Sequence, residues 1–147
     1  MFLALALVAQ AALATPPPTP APLTADQRIE AAAKAIVDES GAPFIERINW
    51  APVPAPQGAS VVPEMRVDFT PTAWHRAPRS LKRDVAERLV KLDWRASSFA
   101  THHFHKNAGA FIRLYVGETF LGRIELRDSA VTGRDDRFRP SRAWADQ

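Results

Sequence analysis

Between residues 110 and 127 apolar and charged side chains alternate through two runs, and this alternation constrains the fold more than any other feature of the chain. Ala110, Ile112, Leu114 and Val116 fall on one face of the first run. Phe120, Ile124 and Leu126, with Gly122 between them, fall on one face of the second. Successive side chains of a strand point to opposite sides, so each run reads as a strand with one buried face. The short break around Gly117 makes the pair a hairpin. A two-residue loop, Gly117-Glu118, would set Leu114 opposite Leu121 and Ile112 opposite Arg123, bringing charge to the core side. A three-residue loop ending at Thr119 pairs Val116 with Phe120, Leu114 with Gly122 and Ile112 with Ile124, so the hydrophobic pattern predicts the odd loop. Arg113 then lies opposite Arg123, with Glu125 close enough on the diagonal to relieve the repulsion.

The preceding segments supply a layer for that hairpin to pack against. Thr24-Ala25-Asp26-Gln27 is a capping box. Ile29, Ala32, Ala33, Ile36 and Val37 then recur at helical spacing, which predicts a helix from 25 to about 40, stopped by Gly41. Phe44, Ile45, Ile48 and Trp50 form an apolar patch, either one more helical turn or a short strand. Pro52, Pro54, Pro56 and Gly58 require a loop. Val61, Met65, Val67 and Phe69 then alternate with Glu64, Arg66 and Asp68 as a half-buried strand. Thr70-Pro71 opens a short turn holding Trp74 and His75. Pro78 restarts a helix to about residue 95, with Leu81, Val85, Leu89 and Leu92 as its buried stripe and Lys82 among the residues facing water.

The predicted fold class is therefore α+β: a three-stranded sheet, made of a strand, a helical crossover and a β-hairpin, packed by two helices. Residues 24–128 form this single domain, a size that fits 147 residues in all. Residues 129–147 are rich in Arg and Asp without a period and read as a mobile charged tail.

The first 14 residues read as an address. MFLALALVAQAALA carries no charge and spans roughly 21 Å as a helix, short of a hydrocarbon core of roughly 30 Å. It closes on Ala12-Leu13-Ala14, small residues at the spacing a signal peptidase reads, which predicts cleavage after Ala14. Residues 15–23, with five prolines, follow as an extended spacer. The expected location is periplasmic or secreted. The chain has no cysteine, which excludes a disulfide framework, a thiolate zinc site and a cysteine nucleophile.

Chemistry-bearing patterns are few. No serine lies in a G-x-S-x-G elbow or an S-x-x-K motif, and there is no Walker or dinucleotide glycine loop. Glu64 and Asp68 share a strand face, as a solvated charge pattern would place them. His102, His103 and His105 crowd into four residues. If that segment is extended, His103 and His105 project together as a divalent-metal pair that would need a third ligand, such as His75 or a carboxylate. Phe111, Arg113, Tyr115, Arg123 and Arg127 are expected on the outer face of the hairpin, where aromatics among arginines suit a ligand or partner surface. Residues 96–109, with Phe99 and Phe104, or the proline-rich loop could instead roof that face.

Three functions follow as expectations. The first is an exported, non-catalytic binding module whose partner is another protein or a second copy, held on the open sheet face. The second is a metal-binding protein or metal-dependent enzyme built on His102, His103 and His105. The third is a binder of polyanions (lipopolysaccharide, anionic lipid or nucleic acid), because residues 76–147 carry fifteen basic and nine acidic side chains against four and seven in 15–75.

Overall fold

The structure, a computed structural model, describes residues 20–52, 63–104, 109–127, 137–142, 144 and 146. The expected leader, cleavage point and most of the spacer lie outside these residues. Ten elements follow in order: α1 (Ala25–Lys34), β1 (Ile45–Asn49), β2 (Glu64–Phe69), α2 (Pro71–Arg76), α3 (Arg79–Val90), a 3-10 turn (Trp94–Ala96), α4 (Ser98–Phe104), β3 (Gly109–Val116), β4 (Thr119–Arg127) and β5 (Arg137–Pro140).

The fold is α+β with one open mixed sheet in the order β1-β2-β3-β4-β5. Only β2 and β3 are parallel, joined by the crossover that carries α2, α3 and α4. The helices all cover one side. Ile29 and Ala33 of α1, Trp74 of α2, Val85 and Leu89 of α3, Trp94 of the turn and Phe99 of α4 share one core with Met65, Val67, Ile112, Leu114 and Ile124 of the sheet. Each large side chain buried here contributes about 1.5–3 kcal/mol.

Among the described residues five strands replace the three predicted, and four α-helices the two. β1 escapes the alternation test because its register slips between Ile45 and Arg47, leaving Glu46 and Arg47 both exposed. β5 falls in the segment expected to be a mobile tail. Its sequence offers one apolar side chain, Phe138, and its pairing with β4 is a tertiary event that no local pattern announces.

The hairpin loop also corrects the prediction. Val116 pairs with Thr119 and Tyr115 with Phe120, so the loop is the two-residue Gly117-Glu118, with Gly117 at φ +56°. The register then slips by one residue, and beyond the slip Leu114 faces Gly122 and Ile112 faces Ile124. A bulge at Leu121 thus restores the hydrophobic pairing that the odd loop was invoked to give. It turns Leu121 inward, fully buried, and leaves Phe120 exposed instead of on the core side.

Two helices end earlier than their periodicity suggests. α1 stops at Lys34, and the Asp38 carboxylate organises the loop that follows. It accepts from Ser40 N–H at 2.9 Å, Ser40 Oγ at 2.7 Å and Ala42 N–H at 2.9 Å, while Gly41 takes φ +82°. The Ser40 hydroxyl, then the Ala42 N–H, holds Asp38 below its ordinary carboxylate pKa of 3.8; partial burial opposes them, and the Ser40 N–H and Arg76 add to the lowering. A carboxyl whose pKa is depressed by folding stabilises fully above its unfolded value and loses that contribution as pH falls through the folded one. An NMR titration is expected to place the Asp38 midpoint below 3.8. Asp38→Ala should flatten the acid limb of the stability curve; an Asp38 midpoint at or above the ordinary value would refute this account of the turn.

α3 ends at Val90, and Trp94 then closes the chain against it. The fully buried indole N–H donates to Leu89 O at 2.6 Å. Lys82, expected to face water, is 6% exposed with Nζ 5.3 Å from the Trp74 ring centre. Burial lowers its pKa, and the Asp146 charge opposes that shift.

Candidate binding face

Strand alternation sends one set of side chains into the core and the other to the side away from the helices. Glu64, Arg66 and Asp68 of β2, Phe111, Arg113 and Tyr115 of β3, Arg123, Glu125 and Arg127 of β4, and Arg139 of β5 make up this second side. Arg47 of β1 joins them opposite Asp68. All five residues expected on the face from the sequence are therefore gathered there. Phe99 and Ala100 are buried in the helix-side core, so the described part of residues 96–109 does not roof the face. The proline-rich loop expected as an alternative roof falls mostly outside the described residues.

Aromatic rings and guanidinium groups are layered across the face. Arg123 lies 4.3 Å over the Phe111 ring centre and Arg66 4.2 Å over that of Tyr115. Arg113 is 5.8 Å from the Phe120 centre, and Tyr115 and Phe120 are 5.5 Å apart. Rings hold these cations through their negative faces and restrict their motion.

Three carboxylates organise six guanidinium groups. Glu64 takes Arg113 at 2.5 Å. Asp68 takes Arg66 at 2.5 Å and Arg47 at 3.1 Å. Glu125, only 6% exposed, stands among Arg139 at 2.9 Å, Arg127 at 3.1 Å and Arg123 at 3.6 Å. The opposed Arg113 and Arg123 are thus relieved from both flanks, one turned to β2 and the other to its own strand. Burial pushes the Arg113 pKa down, but the Tyr115 hydroxyl and Glu64 outweigh it and leave it raised, so its charge is permanent in water.

Sequence reasoning missed Arg47, Arg66, Arg139 and Phe120 as members of this face. Arg66 had a usable signal, since it alternates with Met65 and Val67. Arg139 had none, because its place depends on β5. Glu64 and Asp68 each serve arginines and not one another.

The histidines are placed differently from the expectation. His102 and His103 lie on α4, not on an extended segment, with rings edge to face at 4.8 Å; His103 also packs on Phe99 at 5.0 Å. His105 lies outside the described residues. His75 is exposed on α2. Among the described residues no three His, Asp or Glu side chains gather as a metal site.

Compared with known protein families, curated proteins and solved structures, the chain matches none. Among the described residues no helix is long and apolar enough to cross a membrane.

Proposed function

We propose that the protein is an exported, non-catalytic binding module that holds an anionic partner on the open face of its sheet. The observation that carries this reading is the imbalance of six guanidinium groups over three carboxylates on a surface from which the helices are absent. The apolar leader and proline-rich spacer support export. A second copy of the same face is a poor partner, because face-to-face pairing would set guanidinium against guanidinium. An acidic surface instead gains paired charges and displaces counterions.

Heparin is a suitable polyanion probe for the full chain. Neutralising three anionic groups should cost roughly 40-fold in affinity between about 50 and about 200 mM salt. Arg123 and Arg139 are the most exposed of the Glu125 partners, and Arg127 remains to pair Glu125 when they are removed. Arg123→Ala with Arg139→Ala is expected to weaken heparin binding by roughly tenfold or more at low salt while the protein stays folded. Affinity that is flat with salt, or unchanged in the folded double variant, would exclude the face as an anion-binding surface.

A further inference from the structure

A groove of about 540 Å³ runs between α3 and β5, on the side of the molecule that carries the helices. Ala86 and Val90 of α3 form one apolar wall, and Phe138 and Trp144 form the other. Phe138 and Trp144 meet edge to face at 5.2 Å, and Trp144 continues to Trp74 at 6.2 Å, so the aromatic wall is anchored in the core. The volume falls within the roughly 300–1,000 Å³ of small-molecule sites.

Its rim differs from the open sheet face in one respect. There each of the six arginines has a carboxylate. Arg83, Lys91 and Arg137 line the groove, and among the described residues none of them makes an ion pair. Among the described residues Glu87 is the only acid in the lining. Arg83 lies on α3 and Lys91 caps its C-terminal end eight residues later, roughly 12 Å along its axis. Apolar walls bordered by uncompensated cations suit a ligand with a long hydrocarbon chain and one anionic head.

We infer that this groove binds a long-chain fatty carboxylate, its chain between α3 and the Phe138–Trp144 wall and its head taken by Arg83 or Lys91 at one end of the rim; Arg137, opposite Glu125 in the register, turns its side chain to the other face of the sheet. An extended acidic peptide is the other ligand such a groove suggests, since β5 is an edge strand. That strand has four residues and ends in Pro140, which has no N–H to donate. A peptide adding as a further strand would find too short a ladder, whereas a fatty carboxylate needs no backbone partner.

Dodecanoate titrated into the full-length chain at submicellar concentration tests the inference through tryptophan emission, because Trp144 lines the groove. A saturable change is expected, at least roughly tenfold weaker for the neutral 1-dodecanol. Arg83→Ala with Lys91→Ala should weaken dodecanoate binding to a similar degree, and the thermal midpoint should confirm that the variant folds. Arg123→Ala with Arg139→Ala, on the other side of the sheet, should leave it unchanged. The inference is overturned by no saturable response, by equal affinity for the alcohol, or by undiminished binding in the folded Arg83/Lys91 variant. It is equally overturned if the response appears only with anionic vesicles or an acidic peptide, or if the open-face variant abolishes it.

Discussion

Glu125→Ala is expected to destabilise the protein by about 2 kcal/mol and lower its Tm by roughly 7 °C. The carboxylate is buried, and three guanidinium groups stand within 3.6 Å of it. Removing it leaves three like charges on adjacent strands with no counter-charge. Breaking a fully buried ion pair costs about 3–5 kcal/mol, but these arginines are between a third and a half exposed and can turn toward water. The lower figure is therefore expected. Salt distinguishes this cause from simple loss of packing. Screening weakens repulsion among exposed cations, so the deficit of Glu125→Ala should shrink as ionic strength rises. Glu125→Gln, which keeps an acceptor and the shape, should fall between the two proteins. Urea unfolding at low and high salt measures both effects; a deficit that does not respond to salt would mean that Glu125 acts by filling space.

The face that Glu125 organises was legible in outline because strand alternation is a local property. Arg113, Tyr115, Arg123 and Arg127 could be set on one side from their spacing alone, and the pairing of Ile112 with Ile124 followed from the demand that apolar faces match. The same demand has two solutions near the turn. A three-residue loop and a two-residue loop with a bulge give the same register from Leu114 back to Gly109, and they differ only in where Phe120 and Leu121 point. Hydrophobicity does not separate Phe from Leu at those two positions, so the sequence reading placed the wrong one inside. Lys82 shows another limit. Its four-carbon stem can cover apolar surface, and whether it does depends on Trp74 from another helix. β5 was out of reach for a further reason: its stability comes from what β4 offers it, above all a gap at Gly122.

That gap predicts the largest structural consequence of a single methyl group. A Cβ at position 122 would lie 2.7 Å from Phe138 Cε2, 2.8 Å from Arg139 O and 2.9 Å from Pro140 Cα. The ring could rotate aside, but the other two atoms are backbone and move only if β5 moves. Gly122→Ala is therefore expected to detach β5 from β4, at a cost of about 3 kcal/mol, the upper part of the range for overpacked sites. The cost has a ceiling, because a four-residue edge strand can leave while the core between the helices and β1–β4 persists. Hydrogen exchange should show this as a local loss: amides of β5 lose protection while those of β2 and β3 keep it. Gly109→Ala provides the comparison, since its Cβ would meet only Leu126 O at 3.0 Å and a small shift relieves it. Detachment of β5 also removes Arg139 from Glu125 and Phe138 from the groove, so the alanine variant should lose dodecanoate binding and part of its heparin binding together. Retained β5 protection in Gly122→Ala would mean that β4 itself yields to admit the methyl group, and the glycine would then owe its place to something other than the approach of β5.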